Sequence, residues 1–188
     1  YTLDFYFTKM KQKSIRFVQC YMLKTVFAFL LGSSLLFSQE KLFLKQADSL
    51  TSSTNNAETI TKLNGNVLFQ KNDTIFRSDM AIQSNLHPII DFYGNISIHQ
   101  PNQVIYCDSL SYNSNTEFLS MTGNVKVENS TRLISSDKAT LDQISNQLTI
   151  IDNCEVYESE KYKIVGDKII LDFDNNQIKS INVLSDGI

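Results

Sequence analysis

An internal repeat limits what this chain can fold into more than any other feature of it. Gly65-Asn66-Val67, Gly94-Asn95-Ile96 and Gly123-Asn124-Val125 stand 29 residues apart, and the same step reaches Asp152-Asn153-Cys154 and Ile181-Asn182-Val183. The Asn is present every time. A second marker, Ser78-Asp79, Cys107-Asp108 and Ser136-Asp137, keeps the same step and continues at Gly166-Asp167 after one inserted residue. A fixed period of this length marks one supersecondary unit used repeatedly, with neighbouring copies burying a shared core.

Inside each unit apolar and polar residues alternate, the period of a strand with one buried face. After the Asn-containing start come Val67 and Phe69, Ile96 and Ile98, Val125 and Val127, then Cys154 and Val156. After the Asp come Ala81, Leu110 with Tyr112, Ala139 with Leu141, and Ile169 with Leu171. Ahead of the next start come Leu63, Ile90 with Phe92, Leu119 with Met121, and Leu148 with Ile150. Each unit is therefore expected to supply about three short strands. Turn chemistry separates them at Asn72-Asp73, Pro101-Asn102, Asn113-Ser114-Asn115, Asn129-Ser130, Ser145-Asn146 and Asp174-Asn175-Asn176. The body is all-β, and two architectures suit it. A parallel β-solenoid would stack the Asn residues into a ladder. Antiparallel bent strands, folded as a jelly roll or half-open sandwich, fit the frequent turns somewhat better.

The charge of the whole chain, 17 Lys+Arg against 20 Asp+Glu, averages two unlike parts. Lys9, Lys11, Lys13, Arg16 and Lys24 lie in the first 38 residues with one acid, Asp4, which leaves 12 against 19 for the rest. An acidic body lacks the basic face of a nucleic-acid binder. Residues 22–38 run from Met22-Leu23-Lys24 through the apolar stretch Thr25–Phe37 to Ser38, the order of a secretory signal peptide. Residues 1–21 then precede the true start or extend the leader. The alternative is a membrane anchor, although 13 apolar residues span about 20 Å of helix against a hydrocarbon core of about 30 Å. Residues 39–58, rich in Ser, Thr, Asn and Gln, are expected to be an adaptor ahead of a folded domain at 59–188. Its most flexible stretch is expected at Thr51–Asn56. Export permits a disulfide between Cys107 and Cys154, but a small buried thiol on a strand is the simpler assignment for each.

The Gly-Asn-Val marker, followed after about ten residues by Ser135-Ser136-Asp137-Lys138-Ala139-Thr140-Leu141-Asp142 and repeated along an exported all-β chain, resembles the OstA-like domains of the lipopolysaccharide transport machinery. The likeness covers residues 59–188; it is clearest at 123–142 and weakest from 152, where Asp152 and Ile181 replace the Gly. The resemblance implies a bent antiparallel β-jelly roll, open along its length, that shields lipid A acyl chains in the periplasm. It also implies partners: other OstA-like domains or a second copy, joined through sheet edges. The leader is similar to those of Bacteroidetes-like exported proteins.

The inward apolar groove expected to hold lipid comprises Val67, Phe69, Ile90, Phe92, Ile96, Ile98, Leu110, Tyr112, Leu119, Met121, Val125, Val127, Leu141, Leu148, Ile150, Val156, Ile169 and Leu171. Burying a methylene stabilises by about 0.8 kcal/mol, so a dozen-carbon chain supplies on the order of 10 kcal/mol before ordering costs. Headgroup contacts in an acidic body would fall to scattered cations such as Lys126, Arg132 or Lys138. The recurring Asp and Asn are expected to be turn or ladder residues. Two histidines, His87 and His99, lack metal-ligand spacing, and the chain carries no nucleophile elbow, P-loop or dinucleotide fingerprint. No enzyme, cofactor or metal is expected. The competing functional class is an exported structural module with a filled interior, such as an adhesin; an anchored transport partner is the third. The last repeat stops after eight residues, so an unpaired edge is expected at the C-terminal side, and with it either a longer natural chain or end-to-end pairing with a second copy or a related domain.

Overall fold

The computed structural model describes residues 41–159, 162–175 and 177–184; the leader expected at 1–38 lies outside them. Eleven strands form one antiparallel sheet: β1 (Phe43–Gln46), β2 (Ser49–Asn55), β3 (Glu58–Lys71), β4 (Thr74–Ser84), β5 (Ile89–Gln100), β6 (Gln103–Asn113), β7 (Phe118–Glu128), β8 (Arg132–Asp142), β9 (Gln147–Glu158), β10 (Tyr162–Asp174) and β11 (Gln177–Leu184). From β3 to β11 spatial order follows chain order, while β1 and β2 lie one after the other along the free side of β3. Every pairing is antiparallel, which excludes the solenoid.

One 29-residue unit is one hairpin of two long strands rather than three short ones. The expectation of three took Gly-Asn for a turn. It is a bulge: β5 places Gly94, Asn95 and Ile96 against only Ser78 and Asp79 of β4, and pairing resumes on both sides. Gly94 and Asn95 have φ of 73° and 47°, the left-handed pair that inserts the extra residue. β3, β7 and β9 repeat the bulge at Gly65-Asn66, Gly123-Asn124 and Asp152-Asn153. The fifth marker does not follow, because Ile181 and Asn182 pair regularly with Leu171 and Ile170.

Residues 43–55, read from the sequence as adaptor, are strands. Their hydroxyl-rich stretch has every residue exposed, as an outermost strand with one partner requires. Ser52 and Thr54 meet Thr61 and Thr59 through hydroxyl contacts of 3.2 and 3.0 Å. The turns behave as their composition predicts. The Asn129 side-chain oxygen accepts from the amides of Thr131 and Arg132, and Asp142 does the same for Ile144 and Ser145.

The bulges lie side by side and divide the sheet into two wings. The first wing runs from the bulges to the turns at Asn72-Asp73, Pro101-Asn102 and Asn129–Thr131; the second runs to the turns at 85–88, 114–117 and 143–146. Bulged strands bend, and here the bend brings the wings face to face. Lys71, at the first-wing end of β3, reaches Glu117, in the second-wing turn between β6 and β7, at 2.7 Å. Phe76 packs on Tyr112 at 5.5 Å between centroids.

Candidate apolar groove

The inner face is built of rows that cross the sheet. In the first wing Phe69, Phe76, Ile98, Ile105, Val127, Ile134 and Val156 are successive register partners. In the second wing Leu63, Ala81, Phe92, Leu110, Met121, Ala139, Ile150 and Ile169 form one row, and Ile90, Tyr112, Leu119, Leu141, Leu148 and Leu171 the next. Because the repeat is one hairpin long, each 29-residue step returns to the same row two strands on. Of the eighteen residues assigned to the groove from sequence, Ile90 and Leu141 are half-buried and all the others are buried. Phe76, Ile105 and Ile134 were missed; Leu63, Ala81 and Ala139, placed on the buried face by the alternation but not counted in the groove, are core members as well.

A row along the bend alternates bulky and small: Val67 against Ser78, Ile96 against Cys107, Val125 against Ser136. The small member gives the wings room to turn toward each other. Its polar atom also serves the interrupted ladder: the Ser78 and Ser136 hydroxyls donate to the carbonyls of Met80 and Lys138 at 3.0 and 2.9 Å. Cys107 and Cys154 are free, buried thiols. Burial pushes the Cys107 thiol up to about 12, with the neighbouring Asp108 charge adding to it.

The recurring polar residues lie on the outer side of the same bend. The amide of Asn66 donates to Asp48 at 2.9 Å, Asn95 to Asp79 at 2.7 Å, Asn124 to Asp108 at 2.8 Å and Asn153 to Asp137 at 2.7 Å. These are cross-strand clasps, neither turns nor like-on-like ladders. Asp48, between β1 and β2, is a member that the sequence pattern did not reveal, and Asn182 makes no clasp with Asp167. Lys126 and Lys138 also face outward, paired with Glu128 and Asp152.

Along most of its length the interior is filled by its own side chains. Phe69 meets Phe92 edge-on at 5.4 Å, and Phe92 stacks on Phe76 at 5.8 Å. The mouth between the wing tips is bridged twice. At Lys71 burial pulls the ammonium pKa down, but hydrogen bonds to Glu117 and Tyr112 outweigh this and leave it above its ordinary value. Arg132 lies over the Phe173 ring at 5.5 Å. Between the bridges a cavity of about 150 Å³ has Ile105, Val127, Leu148 and Phe173 in its wall and Gln100, Gln103 and Gln143 at its rim. Past Arg132 a cleft of about 550 Å³ opens between Val156 and Ile164 on one side and Ile178 and Ile181 on the other. β11 pairs β10 only over Lys168–Asp174, so the Tyr162–Asp167 stretch of β10 has no neighbour on its far side among the described residues.

No curated protein sequence matches the chain. Among solved structures it is similar to LptH, described as the LptA homologous periplasmic component of the conserved lipopolysaccharide transport device from Pseudomonas aeruginosa. The identity is 13%, the match covers 79% of this chain and 97% of that one, and the TM-score is 0.48. The family model for OstA-like protein matches residues 39–167, from ahead of β1 into β10 and across all four bulges. The chain belongs to the OstA-like protein family.

Proposed function

We propose that this chain is a periplasmic lipopolysaccharide carrier that holds the acyl chains of lipid A between its wings and passes them toward the outer membrane, within a bridge or translocon. The observation that carries this reading is the two-winged inner face, apolar from β3 to β11 yet joined across its mouth only by side chains. Among the described residues no covalent bond or strand pairing closes the wings, and the cleft at the β10–β11 end stands open. An acyl chain would begin there and part the wings, exchanging side-chain contacts for equally apolar ones. Family membership supports the same reading. The exposed outer edges, β1 with β2 at one end and β10 with β11 at the other, suit strand addition to a second copy or a related domain.

Photo-crosslinking tests it. A photoreactive residue at Phe69, Tyr112 or Leu141, each on the inner face, should capture lipopolysaccharide in cells, whereas one at the outward Lys126 should not. Three folded inner-face variants that capture none would overturn the carrier reading in favour of an exported structural module.

A further inference from the structure

We infer that Arg132 is the phosphate anchor of an amphiphile site at the mouth, a deepening that rests on the carrier reading. Two cavities meet at this side chain. On one side is the cleft between Val156, Ile164, Ile178 and Ile181, with Glu158 and Gln177 also in its wall. On the other is a concavity of about 910 Å³ over the β5–β6 and β7–β8 turns, where Gln100, Asn102, Ser130 and Thr131 stand beside Val104, Leu133 and Tyr157. Among the described residues, Asn129, Thr131 and Arg132 line both. A cleft that offers isoleucine and valine side chains, a cation at its lip and a basin that offers amides and hydroxyls among apolar residues can meet the three parts of a phosphorylated glycolipid: chain, phosphate and sugar.

Arg132 differs from the other cations named as headgroup candidates. Lys126 and Lys138 point outward and are half-exposed, whereas the Arg132 side chain is 8% exposed. Its Nε and Nη2 donate to Glu158 at 2.5 and 3.3 Å, and the Phe173 ring fixes the plane. A guanidinium has five N–H donors, so three have no protein acceptor among the described residues. That planar fork fits phosphate oxygens, and Glu158, 36% exposed, would yield the two donors it holds as a phosphate enters. Glu128, which also borders the basin, is held by Lys126 and offers an acceptor for sugar hydroxyls.

Binding of lipid A and of its dephosphorylated form to the full chain tests the assignment, with dodecyl phosphate, dodecanol and inorganic phosphate as probes below their aggregation limits. The wild type should prefer each phosphorylated lipid over its neutral partner by about 10-fold or more, the range for hydrogen bonds to charged groups. Arg132→Gln should erase that preference while keeping the affinity for the neutral lipids, and Arg132→Lys should retain part of it. Glu158→Gln, which frees the guanidinium, should raise the preference and serves as the readout if Arg132→Gln does not fold. A preference that survives Arg132→Gln, falls in Glu158→Gln or is missing in the wild type overturns the site. Inorganic phosphate binding as tightly as dodecyl phosphate would make it an ion site and overturn the amphiphile assignment. If neither form of lipid A binds while dodecyl phosphate still does so through Arg132, the carrier reading fails and the anchor stands.

Discussion

Replacing Gly123 with Ala should test whether the recurring Gly and the Asn–Asp clasp are one device. Gly123 has φ 77°, and a Cβ built there would lie 2.4 Å from the Oδ2 of Asp108 and 2.9 Å from its Cβ and Cγ. The substitution therefore carries two costs. The left-handed conformation costs an alanine about 1–2 kcal/mol, and moving Asp108 aside breaks its hydrogen bond from Asn124, worth about 0.5–1.5 kcal/mol at an exposed site. Together these predict a loss of about 2–3 kcal/mol in urea unfolding, with the slope against denaturant unchanged. In an Asp108→Ala background the hydrogen bond and the Oδ2 and Cγ contacts are gone, leaving the conformational cost and the contact with the remaining Cβ, so the double-mutant cycle should show a coupling of about 1 kcal/mol. Asp152 gives the internal control, since it already occupies the equivalent place at φ 64° and pairs with Lys138. Asp152→Gly relieves strain and removes an exposed ion pair, which should leave stability within about 0.5 kcal/mol of wild type. Equal costs for Gly123→Ala with and without the Asp108 carboxylate would refute the steric part of the reasoning, and no cost at all would refute both parts.

Phe76→Ala should destabilise by about 3–5 kcal/mol in the same assay, because the ring is 1% exposed and packs on both Phe92 and Tyr112. Stability should fall between about pH 9 and 12: the folded Cys107 pKa, raised to about 12, lies above its unfolded value, so the folded state binds more protons across that window and loses stability as pH rises. The shift corresponds to on the order of 4 kcal/mol; Tyr112, raised by burial, adds to the loss, and Cys107→Ser should flatten the slope. Glu117→Gln should loosen the mouth at Lys71, seen as faster alkylation of Cys107 at neutral pH with little change in the unfolding midpoint.

The 29-residue period, the all-β class and most of the inner face were legible because a hairpin-long repeat returns each residue type to the same row. Phe76, Ile105 and Ile134 were hidden because each follows another apolar residue, in Ile75-Phe76, Val104-Ile105 and Leu133-Ile134. Adjacent apolar residues erase the alternation that marks a face. Counting back two residues from Ser78, Cys107 and Ser136 would have placed them. β1 and β2 escaped because an outermost strand needs no buried side chains. Their trace was Asp48, 18 residues before Asn66 where the other clasps span 16. Contacts across the mouth, Lys71 with Glu117 and Arg132 with Phe173, join strands several places apart. They follow from the bend, which no local pattern encodes.

The bend also explains how the recurring residues divide their work. At each of the four bulges the Asn–Asp pair spends its polarity on the outer side, while the residue just before the Asp in β4, β6 and β8 is small and faces inward. The interior then gains curvature without taking in a charge, and the first-wing row can remain apolar from Phe69 to Val156. At Ile181 the device stops: Ile181 and Asn182 pair with Leu171 and Ile170 without a bulge, and among the described residues β11 covers only the second-wing half of β10. The cleft beside Arg132 lies at this place. Asp152 keeps the bulge and the clasp without a Gly, whereas at Ile181 both are absent, so the clasps among the described residues end at Asn153.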